Sequence, residues 1–229
     1  MSTRGLWGLR KNNTDKLEYY HFDSYPEDGL GFYLLDFLKR SKNEDLSTLF
    51  DSIELVKQFK EEEGFVEPTQ EQIDFYKSIK AFDPNVSSRS ELDWYCLLRR
   101  LQGQLEYRIQ LALRLSSPEN TSDFKKQHMI DSAEFIKDSL FCEYAYIINL
   151  DTNKLEWFKG NQFIMDTSNR YGFWKLNGYY PCKMVGEMDL DEIREKPIED
   201  SREKMLQIYK DAKIAEKEAA REILAKGEF

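Results

Sequence analysis

The chain has 229 residues, of which 41% are hydrophobic and 14% aromatic, and its formal net charge is −9. A chain of this length and composition can bury a hydrophobic core, so intrinsic disorder is excluded as its general state. The acidity argues against direct nucleic-acid binding, which needs a surface rich in lysine and arginine. It keeps the protein soluble, and it leaves room for a basic protein partner or a surface that imitates nucleic acid.

The cysteines and the start of the chain bear on the compartment. Cys96, Cys142 and Cys182 are widely spaced and form no CxxC pair, which is typical of buried thiols in a reducing compartment. The first residues lack the apolar stretch of a signal peptide, and no run reaches the roughly 20 apolar residues that span a bilayer. We therefore expect a cytoplasmic protein that does not interact with membranes.

The first predicted unit is a β-hairpin. Thr3 to Arg10 forms one strand, residues 11–15 the turn, and Leu17 to Asp23 the partner strand. Because side chains alternate between faces, Arg4 and Arg10 share one face of the first strand. Gly5 and Gly8 are costly inside a strand and indicate a bulge or a close approach of another backbone.

Four helices are predicted in the middle of the chain. The first carries an apolar stripe from Leu30 to Leu38, and the second runs from Asn43 to Phe59 with a cap at Ser41 or Asn43. Thr69 caps the third helix. The fourth begins at Ser90, is kinked or ended by Gly103, and continues helically from 105 to 115.

The pattern then returns to strands. Phe141 to Leu150 and Lys154 to Lys159 form a second hairpin, and Tyr179 to Met188 a further strand. From Pro197 onward a charged helix carries only a thin apolar stripe. Such a helix packs weakly, projects, or pairs with a second copy to form a homo-oligomer.

These elements predict an α+β fold. It consists of an antiparallel sheet built from the N-terminal hairpin and the later hairpin, a helical middle that covers one face, and a long C-terminal helix. We divide the chain into a core domain, 1–188, and a C-terminal charged helix, 189–229.

The densest group of reactive side chains is the segment from His21 to Pro26. His21 and Asp23 are two apart on a strand and share a face, so they can orient an imidazole as a general base or begin a metal site. A metal needs a third ligand, and the only other histidine is His128, so we expect no metal and no cofactor. The structural alternative is a corner in which His21 and Asp23 hydrogen bond to each other.

Ser2 and Thr3 suggest a second chemistry. Removal of the initial methionine before a serine leaves a free amine that can act as the base for its own hydroxyl, as in N-terminal-nucleophile hydrolases. Those enzymes also begin with a strand, a turn and a strand. The alternative is that Ser2 is a frayed terminal residue.

The third chemistry is anion binding. Arg4, Arg10 and Lys11 lie near Tyr25 in the predicted hairpin, and guanidinium groups with aromatic rings suit a phosphate-bearing or nucleotide-like ligand. Alternatively, the arginines form ion pairs across the hairpin. The carboxylates in reach are Glu18, Asp15 and Asp23.

The later part of the chain is rich in aromatic residues. They are Trp157, Phe158, Phe163, Tyr171, Phe173, Trp174, Tyr179 and Tyr180. Such a set is more often part of the core and of loop anchoring than a ligand cage, but any exposed fraction indicates a protein interface.

Two segments carry a family resemblance. The opening Thr3 to Lys11, the segment Tyr20 to Pro26 and Gly29 to Gly31 resemble a family of bacteriophage, prophage and bacterial proteins whose members begin with TRG-x-x-G-x-R-K and continue to H-x-D-S-Y-P. Glu143 to Asp151 resembles a second segment of that family. The resemblance implies a viral source and therefore the host cytoplasm, and it implies no activity. Members often have glycine where this chain has Ser2, and glycine cannot act as the nucleophile.

The sequence thus favours an accessory protein that binds a host protein or a small anionic ligand and inhibits a host process. The alternative is a hydrolase of the N-terminal-nucleophile type. The hydrolase hypothesis predicts that one cleft on the first hairpin, next to Glu143, collects the relevant side chains. They are Thr3, Arg4, Arg10, His21 and Asp23.

Overall fold

The computed structural model describes residues 3–60, 64–85, 92–120 and 124–226. The elements are β1 (Gly5–Lys11), β2 (Thr14–Tyr20), α1 (Leu30–Arg40), α2 (Asn43–Ser52), β3 (Ile53–Val56), β4 (Phe59–Lys60), β5 (Gly64–Phe65), α3 (Gln70–Ser78), α4 (Trp94–Leu97), α5 (Leu105–Ser116), β6 (Gln127–Ile130), β7 (Tyr144–Asn149), β8 (Lys154–Lys159), β9 (Lys183–Asp189), α6 (Leu190–Glu195) and α7 (Ile198–Lys226). Short 3-10 helices cover Arg99–Leu101 and Ala133–Lys137. The predicted α+β class, with a sheet from both hairpins and a long C-terminal helix, is confirmed.

The main sheet has five strands in the order β2-β1-β7-β8-β9. Each hairpin is antiparallel, but β1 and β7, which join the hairpins, run parallel. The sheet is therefore mixed rather than antiparallel throughout. A parallel pair needs a long crossover, and here the whole helical middle supplies it.

The tip of the first hairpin is a two-residue turn. Asn12 and Asn13 have φ values of 53° and 58°, the left-handed backbone that such a turn requires. The carboxylate of Asp151, in the turn of the second hairpin, accepts both of their backbone N–H groups at 2.7 and 2.9 Å. The two hairpin tips are thereby tied together.

Both faces of the sheet are buried. On one face Trp7, Tyr146 and Trp157 belong to a core that also takes side chains from α1, α2, α6 and α7. On the other face Leu6 and Phe158 pack with Ile136, from the second 3-10 helix, and with the thiols Cys142 and Cys182. The α-helices that pack on this sheet lie on one side, as predicted, and the Ala133–Lys137 helix and loops cover the other.

The second predicted helix is too long. Helix α2 ends at Ser52, and Ile53 to Val56 instead form β3, which pairs in parallel with β6. The apolar spacing fits a helix, but the run Ile-Glu-Leu-Val also suits a strand, and a partner 74 residues further on decides between them. The predicted cap is also displaced, because the residue that precedes α2 is Lys42, whose backbone N–H donates to Asp45.

Three other boundaries differ from the predictions. The predicted start of the fourth helix, Ser90, lies outside the described residues, and the helix observed there is the single turn α4, capped by the Asp93 carboxylate. The third strand of the later region begins at Lys183 rather than at Tyr179, because the segment before it is a loop. The first hairpin pairs from Gly5 to Tyr20, so Thr3 and the segment after Tyr20 flank the strands.

The C-terminal charged segment forms two helices, α6 and α7, separated at Pro197. Met205 and Tyr209 of α7 are buried in the main core. Further along, Glu216 still forms an ion pair with Lys159, whereas Ile214 is 55% exposed. The first half of α7 is thus part of the packed structure.

One ion pair lies inside the protein. Arg108 of α5 and Glu18 of β2 are 0% and 1% exposed, and Nη2 lies 2.7 Å from Oε1. Arg108 also donates to the carbonyl oxygens of Leu101 and His128 and to the side chain of Gln127. This network joins the helical middle to the sheet.

Candidate functional site

The predicted site residues lie in three places around the first hairpin and not in one cleft. Arg4 is at the open end of β1 and Arg10 at the turn end, about 20 Å apart at 3.3 Å per residue. Lys11 alternates to the opposite face, where it contacts Ser47 and Asp51 of α2 at 2.9 and 2.6 Å. The expectation of a common cleft is therefore wrong, because a regular strand separates its two ends.

At the open end, Arg4 and His21 adjoin the last pair of the hairpin, Gly5 and Tyr20, and the charge of Arg4 acts on the His21 ring. The guanidinium of Arg4 lies over the ring of Phe141, 5.6 Å from its centre. Glu143 is close, as predicted: its backbone N–H donates to the Arg4 carbonyl at 3.0 Å, and its carboxylate accepts the Arg4 N–H at 3.4 Å.

His21 sits among aromatic and cationic groups. Its Nδ1 hydrogen bonds to Tyr19 Oη at 2.8 Å, and its ring packs edge-on against Phe22. Burial and the nearby charges of Arg99 and Arg4 lower the pKa of His21 below its ordinary value. Burial and the neighbouring positive charges therefore favour the neutral imidazole.

Asp23 and its neighbours form a structural corner. Asp23 adopts a left-handed backbone (φ 47°), and its carbonyl accepts the N–H of Leu30 at 2.8 Å. Ser24 Oγ donates to the carbonyl of Thr3, and Tyr146 Oη donates to the carbonyl of Ser24. These backbone contacts fit the alternative that the segment is a structural corner. The Nδ1 atom of His21 forms its hydrogen bond with Tyr19.

The remaining predicted residues at this end have different exposures. Thr3 is 1% exposed, whereas Tyr25 is 39% exposed and packs near the ring of Tyr144. The weak nucleophile candidate, Ser2, lies outside the described residues. A buried Thr3 hydroxyl is not placed to attack a substrate.

At the turn end, Arg10 lines a cleft of about 570 Å³. Its guanidinium pairs with Asp15 at 2.8 Å, as the ion-pair alternative predicted, and Tyr171 Oη donates to the other Asp15 oxygen. The lining is completed by a larger set. It comprises Asn13, Ala133, Glu134, Lys137, Arg170, Gly172 and Trp174.

The charges of this cleft are internally balanced. Besides Arg10, Lys137 contacts Glu134 at 2.7 Å and Arg170 contacts Glu156 at 2.5 Å. An anionic ligand would have to displace one of these carboxylates. The cleft therefore fits a mixed polar and aromatic contact better than an isolated anion.

The loop beside this cleft, residues 160–182, exposes large apolar side chains; we call it the aromatic loop. Trp174 is 76% exposed and Phe163 65% exposed. Met165, Phe173 and Leu176 are also exposed, as is Met184 just beyond the loop.

The aromatic loop is held in shape by its own hydrogen bonds. Leu176 and Tyr179 exchange both backbone N–H to carbonyl bonds across a two-residue turn, at 2.8 and 3.0 Å. Tyr180 donates its N–H to the carbonyl of Gln162 at 2.9 Å, and Asn169 donates to the carbonyl of Cys182. The exposed rings are thus displayed on an ordered backbone.

Sequence reasoning missed two arginines that define these regions. Arg99 lies over the rings of Phe22 and Tyr95, at 5.3 and 5.2 Å, and Arg170 lies over Phe158 and Tyr171. Neither stands in a motif, and both reach the hairpin through tertiary contacts. No signal in the sequence pairs them with it.

Within the part of the chain that the structure describes, no three or more His, Cys, Asp or Glu side chains form a group that could hold a metal ion. Among the same residues, no helix is both long and apolar enough to cross a bilayer. Comparison of the chain with protein families, with curated proteins and with solved structures gave no match.

Proposed function

We propose that this chain is an accessory protein that acts by binding another protein, with the aromatic loop and the adjoining cleft as its contact surface. The observation that carries the proposal is Trp174, which stands 76% exposed at the rim of the cleft. Tryptophan, tyrosine and arginine dominate the energetically important centres of protein interfaces. One cleft of this protein is lined by Tyr171, Trp174, Arg10 and Arg170.

The order of the loop supports the same conclusion. A preorganised loop loses little conformational freedom on binding, so more of the contact energy appears as affinity. The exposed methionines next to the rings adapt readily to an apolar partner surface. The opening resemblance to phage and prophage proteins favours a host protein as the partner, with inhibition of a host process as the result.

The hydrolase alternative has less support. It requires a single cleft around the first hairpin, and its predicted members lie at the two ends of β1. Thr3 is buried, and Ser2 is outside the described residues. Protein binding needs no such convergence.

The test is site-specific photo-crosslinking in a lysate of the bacterial host. A photoreactive amino acid replaces Trp174 in one variant and Ile214, which is 55% exposed on α7, in the control. We expect one discrete adduct from position 174 and none from 214. Once the adduct is identified by mass spectrometry, Trp174→Ala should weaken binding of that purified partner at least about 30-fold, or roughly 2 kcal/mol. Equal labelling from both positions, or unchanged affinity of Trp174→Ala, would refute the proposal.

A further inference from the structure

At the open end of the first hairpin, two arginines have no carboxylate partner among the residues that the structure describes. Within the described residues, Arg4 and Arg99 form no ion pair, whereas Arg10, Arg108 and Arg170 each hold a carboxylate. Two carboxyl groups lie nearby: Glu143 accepts the Arg4 backbone N–H, and Asp23 lies in the corner that follows His21.

Both guanidinium groups are held in fixed orientations. Arg4 lies over Phe141, and Arg99 is held between Phe22 and Tyr95, with Nη1 donating to Gln102 at 2.6 Å. Stacking on a ring restrains the plane of a guanidinium while leaving its edge N–H groups able to donate. Such planar donors match the oxygens of a phosphate group.

His21 and Tyr19 lie close to both arginines. Arg4 and His21 adjoin the last pair of the hairpin, and the His21 ring packs against Phe22, over which Arg99 lies. The charges of both arginines act on His21 and on Tyr19. Hydrogen-bond donors and aromatic rings therefore surround one small region. Phe22 is 50% exposed and offers apolar surface to a ligand ring.

We propose that Arg4, His21 and Arg99, with Tyr19 and Phe22, form a binding site for a small molecule that carries a phosphate group next to an aromatic ring, as a nucleoside monophosphate does. The two arginines bind the phosphate oxygens, and Phe22 stacks on the ring. The site lies at the opposite end of β1 from the cleft at Arg10. It is therefore independent of the protein-binding surface.

The arrangement makes His21 a reporter of binding. Without ligand, the imidazolium form of His21 is disfavoured by burial and by Arg99 and Arg4. A phosphate dianion at the arginines offsets that repulsion and favours the imidazolium, so binding must raise the pKa of His21. The other ionisable side chains around the site are Asp23, Glu143, Tyr19 and Tyr95.

The experiment is proton NMR of the histidine rings in the full chain, titrated with pH in the absence and presence of AMP. The chain has two histidines, and His128 is buried and bonded to Tyr76, so it serves as the internal control. We expect AMP to raise the His21 midpoint by about 1 pH unit, a tenfold preference for the protonated form, and to leave His128 unchanged. Inorganic phosphate should produce a smaller rise, and adenosine none.

Three variants make the test specific. Arg4→Gln and Arg99→Gln should each weaken AMP binding at least tenfold, whereas Arg40→Gln, at a side chain that is 64% exposed, should bind AMP as the wild type does. An unchanged His128 resonance confirms that each variant is folded. The proposal is overturned if AMP at about 10 mM does not move His21, if adenosine moves it equally, or if Arg99→Gln binds AMP with unchanged affinity.

Discussion

Replacing Arg108 by methionine should unfold this protein far more readily than an equivalent change at the surface. The substitution preserves most of the side-chain volume but leaves the Glu18 carboxylate 1% exposed with no cation beside it. Breaking a buried pair in this way costs about 3–5 kcal/mol. The matched control is Arg40→Met, whose ion pair with Glu106 has 64% and 45% exposed side chains. Exposed pairs contribute about 0–1 kcal/mol.

Urea unfolding followed by tryptophan fluorescence measures the difference, since Trp7, Trp94 and Trp157 are buried. We expect Arg108→Met to lose about 3–5 kcal/mol and Arg40→Met no more than about 1 kcal/mol. The double variant Glu18→Met with Arg108→Met should lose less than the sum of the single changes, because no charge is then left buried alone. Equal losses for the two arginine variants would refute this account of the network.

The pH dependence of the stability lost in Arg108→Met is an independent test of the buried ion pair. Burial raises the pKa of Glu18, and Arg108 opposes that rise. An acid whose pKa is raised in the folded state binds protons more strongly when folded, so its contribution to stability falls as the pH rises above its unfolded pKa of about 4.3. Without Arg108 the pKa rises further. The penalty of Arg108→Met should therefore be smaller at pH 5 than at pH 8.

Three more predictions concern the fold. Gly8→Ala should lower the free energy of unfolding in urea by about 3 kcal/mol or more, because a Cβ would lie 2.0 Å from the Lys16 carbonyl oxygen. The control Gly178→Ala is strained by its φ of +84° but has open space around it, so it should lower the free energy of unfolding by only about 1 kcal/mol. Asp151→Ala should remove the acceptor that joins the hairpin tips. Backbone hydrogen bonds lower the pKa of Asp151, so the stability that this carboxylate contributes should disappear as the pH falls below about 3.9. A variant whose acid unfolding matches that of the wild type would contradict this. Met205→Ala should lower the free energy of unfolding by about 2–5 kcal/mol and Ile214→Ala by less than about 0.5 kcal/mol, and similar losses would show that α7 does not pack as described.

Local patterns were sufficient for much of the fold. A turn around Asn12 and Asn13, the cap at Thr69 and the apolar stripe of α1 were each predicted from a few consecutive residues. The structure has the cap and the stripe where predicted, and it shortens the turn from residues 11–15 to Asn12 and Asn13. In each case the deciding interactions join residues within about four positions of each other. Backbone propensity and spacing then suffice.

Pairings over long distances were decided by the tertiary structure alone. Strand β3 was predicted as the end of a helix, and its partner β6 was not predicted at all, because the two are apart in sequence and neither has a strong pattern. The parallel contact between β1 and β7 likewise depends on how the helical middle returns the chain.

The candidate sites follow the same division. The sequence singled out Arg4, Arg10 and His21 as chemically interesting, and it placed them on one hairpin. It could not show that Arg99 joins Arg4 and His21 at the open end, or that Asp15 neutralises Arg10 at the other. The sequence gives the type and charge of each side chain. The electrostatic field at an ionisable side chain depends on which distant residues folding brings within a few ångströms of it.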